Sequence, residues 1–416
     1  ILIRQKMKIR QAIQLSFASG TLQKKDWFQR VVGVEEPTFR NLHDTLIPKI
    51  FSIDCAPYPC NQNSLNLLDE CSQRTTTTYQ EEKEKKKDCV IMCKNLYSNQ
   101  KTCCGFIRIL NIGKMKENLS QRNLSQRKKP LILLSSGEKT IPCNVDDVQA
   151  CEAYKFATFQ VASNFNALES ISPEQSLESK ERYVTSYIFD RTQGPAASVH
   201  AGGAAIARAY TPFIPPTNNH FPNSSLLNMI PNELSQFFPV QNGYVDFQQC
   251  PNDLPPFDSE KLLPLANVVY QSNVQVTSKS ESHNTMQVPP RLMENPHYID
   301  QVFCAAVNLA QGLSGRLNKR SPNAIERASL MLDASYQGTY LSCALNKRNR
   351  LVLTLIGGGV FGNQMSDILY SLGKAHLMYG HLIEDEIALL VYSQSRVENI
   401  KRFLNTEFPQ IEVIEK

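Results

Sequence analysis

Short apolar runs alternate with amphipathic runs through the last third of the chain, and this alternation constrains the fold more than any other feature. The runs "LVLTLI" (351–356) and "IALLVYS" (387–393) lack polar alternation, as expected for parallel strands covered on both faces. Between them, Met365, Ile368 and Leu372 recur at helical spacing. An α/β fold is therefore predicted, with helices on both faces of the sheet.

The same two patterns extend upstream and to the end of the chain. Further strands are predicted at 130–136, 156–162, 183–190, 301–309 and the closing "IEVIE". Further helices are predicted over 195–210, after the Ser321-Pro322 capping pair and in "RVENIKRFLNTEF". The dipeptide Asn242-Gly243 predicts a β-hairpin, since both residues tolerate the positive φ angles of a tight turn.

Composition divides the chain into three parts. Residues 1–56 are predicted to form an N-terminal helical extension. Residues 57–129 contain "TTTTYQEEKEKKKD" and the tandem "NLSQRNLSQR", which carry too little apolar surface to offset the entropy of ordering. They are predicted to be a disordered insertion, although a gene-model error would give the same composition. Residues 130–416 form the α/β domain, with a loop-rich insertion at about 211–300.

Charge and hydropathy restrict the classes of partner. The net charge is +5, from 44 Lys and Arg against 39 Asp and Glu, and no clustered basic face indicates nucleic acid. No apolar stretch reaches the length of a membrane span. The opening residues are basic and favour an amphipathic helix over a secretory signal. We expect a cytoplasmic or nuclear protein, with a mitochondrial transit peptide as the alternative.

The cysteines predict neither a disulfide framework nor a metal site. The chain has 12 cysteines, and Cys89, Cys93, Cys103 and Cys104 lack the paired CxxC spacing of zinc sites. Reduced thiols are expected, without metal or cofactor.

The glycine cluster in "LVLTLIGGGVFGN" (351–363) spells GxGxxG. A Rossmann dinucleotide fold is disfavoured, because only about 54 residues follow Gly362 and the acids Glu384, Asp385 and Glu386 precede the next strand. Bare glycine backbone followed by a helix N-terminus nonetheless suits a diphosphate. A tight turn at a crowded strand end is the other interpretation, and both stay open at this point.

Two upstream segments narrow the choice. "FQVASNFNALE" (159–169) and "DRTQGPAASVHAGGAAIARAY" (190–210), taken with the glycine cluster, resemble the macrodomain family over about 150–416. They are similar to a divergent branch with an "ASQFNLLE…TQGPA" signature. The resemblance implies a three-layer α/β/α domain with a mixed sheet. It also implies binding of ADP-ribose or a related nucleotide diphosphate, either by an ADP-ribosyl hydrolase or by a non-catalytic reader of ADP-ribosylated proteins.

The resemblance also implies a set of ligand-binding residues. Asn166 would contact the distal ribose, and residues 357–361 would wrap the diphosphate with Phe361 near that ribose. Gln193 and Gly194 would form the opposite phosphate loop. The full set is Asn164, Asn166, Gln193, Gly194, Gly357, Gly358, Gly359, Val360, Phe361 and Gly362. Loop capping by Asn166 and core packing by Phe361 are the alternative roles.

Two carboxylates flank these loops and are the candidate catalytic residues. Glu169 or Asp190 could act as a general base. Alternatively, each could cap a helix or pair with Arg191 or Arg208. The chain has Thr192-Gln193-Gly194-Pro195 where macrodomain hydrolases carry a run of glycines, so binding is better supported than hydrolysis. An NAD-dependent Rossmann enzyme ranks last.

Overall fold

A computed structural model describes residues 27–33, 49–54, 90–120, 128–137, 143–169, 192–210, 227–279 and 291–416. The strands are β1 (Phe51–Asp54), β2 (Val90–Lys94), β3 (Lys101–Asn111), β4 (Leu131–Leu134), β5 (Thr158–Ala162), β6 (Val240–Gln241), β7 (Tyr244–Val245), β8 (Asn267–Lys279), β9 (Arg291–Cys304), β10 (Arg350–Leu353), β11 (Glu386–Leu390) and β12 (Val413–Glu415). The helices are α1 (Trp27–Val32), α2 (Ile112–Ser120), α3 (Val145–Ala150), α4 (Gln193–His200), α5 (Gly202–Ala209), α6 (Asn232–Ser235), α7 (Ser259–Leu262), α8 (Gly312–Arg320), α9 (Ala324–Leu345), α10 (Met365–Tyr379) and α11 (Val397–Glu407).

Ten of these strands form one sheet in the order β1-β2-β3-β8-β9-β5-β10-β11-β4-β12. From β1 to β9 every neighbouring pair is antiparallel. From β9 to β12 every pair is parallel. Strand β9 therefore joins an antiparallel half to a parallel half, and the carboxyl ends of β9, β5 and β10 lie side by side at one edge.

Helices cover both faces of the sheet. On β9, the Gln301 side chain donates to the Ala197 carbonyl of α4 at 3.3 Å, whereas the Cys304 thiol donates to the Ser335 carbonyl of α9 at 3.4 Å. Because side chains an odd number of residues apart point to opposite faces of a strand, α4 and α9 lie on opposite sides. Helices α2, α10 and α11 pack in the α9 layer, and α3 and α5 pack with α4. The predicted three-layer α/β/α fold with a mixed sheet is confirmed.

Most elements predicted in the parallel half are present. The strands at 130–136, 156–162, 351–356 and 387–393 appear as β4, β5, β10 and β11. The hairpin at Asn242-Gly243 joins β6 to β7, and both turn residues have positive φ, at 47° and 87°. The helix predicted over 195–210 is divided at Ala201 into α4 and α5. The strand predicted at 183–190 lies outside the described residues.

Two predictions about the antiparallel half are wrong. Residues 90–120, placed in the disordered insertion, form β2, β3 and α2 and contribute buried side chains such as Ile91, Cys104 and Leu110. The supposedly loop-rich 211–300 region contains the long antiparallel strands β8 and β9. Both segments complete the sheet that also holds β5 and β10, since their apolar faces pack into the common core. The other parts of the predicted insertion, residues 57–89 and 121–127, lie outside the described residues.

A buried charged network connects Asp300, near the carboxyl end of β9, to the segment that precedes β10. Asp300 is fully buried, and its two oxygens accept from Arg348 at 2.7 and 2.9 Å and from Asn346 at 2.6 Å. The Tyr270 hydroxyl and the Asn273 backbone N–H complete its partners. Burial lowers the pKa of Arg348, but the adjacent carboxylate outweighs that effect and raises it. The carboxylate and the guanidinium are therefore paired within the core, and each makes several hydrogen bonds.

His376 gives the fold a predicted pH dependence. Its Nε2 donates to the Lys129 carbonyl at 2.9 Å, so Nδ1 accepts from the Tyr340 hydroxyl, also at 2.9 Å. Burial lowers its pKa to about 4, whereas an unfolded histidine titrates near ~6.5. The neutral form is thus favoured by folding, and this contribution is present above about pH 6.5 and is lost as pH falls towards 4.

We expect this histidine to account for roughly 2–3 kcal/mol of the stability lost between pH 7.5 and pH 4.5. Denaturant unfolding of wild type and His376→Gln at both pH values measures it. Glutamine can keep one donor and one acceptor near the two partners but does not titrate. An equal loss of stability on acidification in both proteins would show that His376 is not responsible.

Candidate functional site

Three loops meet at the carboxyl ends of the parallel strands β9, β5 and β10. We call them the β9 loop (305–311), which follows β9, the Asn loop (163–169) and the Gly loop (354–364). The last two are named for their asparagine and glycine residues. The Ser163 N–H donates to Cys304 at 2.8 Å, and the Leu309 N–H donates to Phe361 at 2.9 Å, so neighbouring loops are directly bonded. Crevices at this edge of α/β sheets are where ligands generally bind.

Two glycines of the Gly loop are required by packing. Gly357 and Gly362 have positive φ, at 73° and 66°. A Cβ on Gly357 would stand 2.6 Å from the Ala306 Cβ, and one on Gly362 would stand 2.4 Å from the Ala310 Cβ. These glycines let the Gly loop lie directly on the β9 loop, so the tight-turn interpretation holds for them.

The middle of the Gly loop has a different character. A Cβ on Gly359 would meet no atom within 4 Å, and Val360 is 50% exposed. Within the described part of the chain, the N–H groups of Gly359, Val360 and Phe361 donate to no acceptor. Gly358 is more confined, because its Cβ would stand 3.1 Å from Ile368. These three consecutive free donors lie on an exposed part of the loop, three residues before α10, and can bind an anion.

The Asn loop is closed on itself. The Asn164 N–H donates to the Leu168 carbonyl at 2.8 Å, and the Asn166 Oδ1 accepts from the Leu168 N–H at 3.2 Å. Between them Ala167 takes a positive φ of 58°. Asn166 therefore performs the loop-capping role, while its Nδ2 group has no hydrogen-bond partner among the described residues. That group remains able to donate to a ligand.

The β6–β7 hairpin connects the Asn loop to the Gly loop. The Phe165 N–H donates to the Gly243 carbonyl at 2.8 Å, and a Cβ on Gly243 would stand 2.6 Å from the Asn166 Oδ1. On the other side, the Tyr244 ring lies 6.1 Å from the Phe361 ring. Phe361 is thus partly packed, as its alternative role predicted. The hairpin therefore contacts both loops.

Gln193 and Gly194 pack against the end of β5. β10 pairs with β5 only at Thr158 and Phe159, which leaves the end of β5 without a strand on that side. The Gln193 side chain takes its place, accepting from the Ala162 N–H at 2.6 Å and donating to the Gln160 carbonyl at 3.0 Å. A Cβ on Gly194 would stand 2.0 Å from the Ala162 carbonyl oxygen. A ligand contact from these residues would therefore use the backbone.

The two candidate catalytic acids are described unequally. Glu169 is half-buried, and its Oε1 lies 2.1 Å from the point that a Cβ on Gly194 would occupy. Its carboxylate therefore faces the start of α4, where a helix N-terminus stabilises negative charge. Asp190 lies outside the described residues, so its proximity to Glu169 stays a prediction.

Arg208 is hydrogen-bonded to the Asn loop, a role that was not predicted from the sequence. It is 2% exposed, and its Nε donates to the Ala167 carbonyl at 2.7 Å. Its other nitrogens donate to Ser198 and Gln271, each at 2.9 Å, and the guanidinium lies 3.7 Å from the Phe303 ring centre. A sequence signal existed, because Arg208 is the one charged residue in "AASVHAGGAAIARAY". The guanidinium therefore binds the carbonyl of Ala167, the residue of this loop that has a positive φ.

His200 does not belong to this site, and the described residues contain neither a metal-binding cluster nor a membrane-spanning helix. His200 is buried between Ser278 at 3.1 Å and Asp146 at 3.2 Å, away from the three loops. Within the same residues no group of three His, Cys, Asp or Glu side chains is arranged to hold a metal ion. None of the described helices has the length and apolar character needed to cross a membrane.

No protein-family model matches the sequence, and no curated protein matches it. Solved structures similar to the chain include poly(ADP-ribose) glycohydrolase from Thermomonospora curvata, with 12% identity, a TM-score of 0.42, and coverage of 83% of this chain and 96% of that one. The same enzyme bound to the inhibitor ADP-HPD has a TM-score of 0.40 with the same identity and coverage. A mutant glycohydrolase from Deinococcus radiodurans in complex with ADP-ribose has 11% identity, a TM-score of 0.39, and coverage of 72% and 95%.

Proposed function

We propose that the chain binds ADP-ribose or a related nucleotide diphosphate in the crevice between the Asn loop, the Gly loop and the hairpin. The observation that carries the proposal is the run of free N–H groups at Gly359, Val360 and Phe361, three residues before the start of α10. Backbone donors with a helix N-terminus behind them are a general arrangement for binding phosphate oxygens. The macrodomain resemblance of the sequence makes ADP-ribose the first nucleotide to test.

The loops on either side suit the sugar attached to such a diphosphate. Asn166 offers a free Nδ2 donor next to the Gly243 turn, and Phe361 offers a partly exposed ring beside Tyr244. In this arrangement the amide binds a ribose hydroxyl and the ring packs against the sugar. Calorimetric titration with ADP-ribose, AMP and NAD tests the proposal. Binding of ADP-ribose at least as tight as AMP supports it, and no binding of ADP-ribose at millimolar concentration contradicts it.

Two activities fit this site, and they differ in the role of Glu169. A hydrolase needs a group that takes a proton from water, and an amide such as Asn166 cannot do so at neutral pH. Glu169, the last residue of the Asn loop, is the first candidate for this group, and Asp190 is the second. A non-catalytic reader of ADP-ribosylated proteins needs neither carboxylate. We propose the hydrolase, with the reader as the alternative.

Glu169→Gln is expected to lower turnover by roughly 100-fold while leaving ADP-ribose affinity within a few-fold of wild type. Glutamine keeps the size and polarity of the side chain but cannot accept the proton. The substrates are ADP-ribosylated protein and poly(ADP-ribose), with product release measured at saturating substrate. Asp190→Asn is assayed in parallel. If wild type binds ADP-ribose but releases nothing from either substrate, the hydrolase proposal fails for them and the reader remains.

A further inference from the structure

A second cleft lies at the opposite end of the parallel strands from the three loops. Its volume is about 350 Å³, and its walls come from the segments that precede β5, β10 and β11. The lining residues are Lys155, Phe156, Lys347, Arg348, Asn349, Arg350 and Asp385. We infer that this basic cleft binds a phosphate-bearing anion, independently of the proposed nucleotide site.

The cleft has an excess of positive charge. It carries four cationic side chains and one carboxylate, Asp385, whose oxygen lies 4.0 Å from the Arg350 Nε. The nearby carboxylate of Glu386 is already bound by Lys416 and by the Tyr154 hydroxyl, each at 2.8 Å. Arg348 in turn is paired with the buried Asp300 at 2.7 Å. The positive charge that no acid of the described residues neutralises is therefore that of Lys155 and Lys347.

Two of the cations are free to bind a ligand. The ammonium groups of Lys155 and Lys347 have neither an ion pair nor a hydrogen bond among the described residues. Lys155 lies 5.2 Å from the Phe156 ring centre, and the Arg348 guanidinium lies 5.5 Å from it. Both cations therefore lie within cation–π distance of the same ring. Two free ammonium groups match a multiply charged phosphate better than a single carboxylate.

Backbone strain marks the same place. Seven non-glycine residues of the described chain have positive φ, and four of them are asparagines, which tolerate this conformation. Of the other three, Phe156 (62°) and Lys347 (51°) line the cleft, and Ala167 lies in the Asn loop. Strained residues of this kind concentrate at ligand-binding sites. Their distribution marks both ends of β5.

Binding of inorganic pyrophosphate to the full chain tests the inference. The Gly359→Glu variant is the starting protein, so that the Gly loop does not contribute. Lys155→Gln with Lys347→Gln should weaken pyrophosphate binding at least ~10-fold. The matched control, Lys114→Gln with Lys319→Gln, removes two exposed lysines elsewhere and should change the affinity less than about twofold.

Two results would overturn the inference. One is an equal loss of affinity in both double variants, which would reflect net charge alone. The other is no pyrophosphate binding to the starting protein at ~10 mM, in a sample that melts cooperatively. ADP distinguishes the source of the phosphate. Binding at least ~10-fold tighter than pyrophosphate, and lost in the Lys155 and Lys347 variant, identifies a nucleotide, whereas equal affinity identifies a free phosphate anion.

Discussion

Replacing Asp300 by alanine is expected to lower the free energy of unfolding by about 3–5 kcal/mol. The carboxylate is fully buried and accepts from Arg348, Asn346 and Tyr270. Its removal leaves the Arg348 charge, with a side chain only 11% exposed, without its counter-ion. An uncompensated buried charge is the main source of the loss. Denaturant unfolding monitored by far-UV circular dichroism measures it.

A surface ion pair provides the matched control. Lys401 and Glu415 lie 2.7 Å apart and are each 36% exposed, so Glu415→Ala should cost no more than about 1 kcal/mol. Adding Arg348→Met to Asp300→Ala removes the orphaned charge and should recover part of the loss. If Asp300→Ala is no more destabilising than Glu415→Ala, the network contributes little to the fold.

Gly359→Glu is expected to weaken ADP-ribose binding by at least about 100-fold without changing the melting temperature. The substitution puts a carboxylate beside the three free N–H groups, where it repels a diphosphate across a short distance. The fold should tolerate the side chain, because a Cβ at this position meets no atom within 4 Å. Calorimetric titration and thermal unfolding measure the two quantities separately.

Two further variants at the same position separate charge from bulk. Gly359→Ala adds a methyl group in open space and should retain the affinity within about threefold. Gly359→Lys adds similar bulk with the opposite charge and should bind ADP-ribose at least as tightly as Gly359→Ala. Equal affinity for the glutamate and lysine variants would show that the diphosphate does not lie against the Gly loop.

The parallel half of the sheet could be predicted from the sequence because its strands are locally distinctive. Runs such as "LVLTLI" are apolar on both faces, and glycine or polar loops bound them. The Gly loop was also recognisable. The roles of the individual glycines in this loop could not be predicted. Two of them are required because the loop packs against Ala306 and Ala310, which come from a separate segment of the chain.

The antiparallel half was missed for two physical reasons. Low-complexity sequence at 75–88 dominated the average composition of the segment that also contains "VIMC" and "CCGFIRIL". The pairing of β8 with β9 contains register shifts, and Asn273 has a positive φ. These irregularities interrupt the alternation of apolar and polar residues by which a strand is recognised in a sequence. The signal that remained, Val274 and Val276 on one face of β8, was too short to identify a 13-residue strand.

The Asp300 network and the basic cleft could not be predicted at all from the sequence. Asp300 and Arg348 are separated by 48 positions, and no local pattern relates them. Lys155 and Lys347 line the same cleft only because β5 and β10 are neighbours in the sheet. Contacts of this kind depend on strand order, which periodicity does not specify.

The strand order also determines when the sheet can form during synthesis. β4 lies between β11 and β12, and β5 lies between β9 and β10, so both wait for strands from the last third of the chain. A nascent chain that ends before these strands leaves both edges of β4 and β5 unpaired. Exposed strand edges promote association with other chains, and long-range pairing slows folding. A chain with this topology therefore leaves strands unpaired for longer during synthesis than one whose strands pair in the order in which they are made.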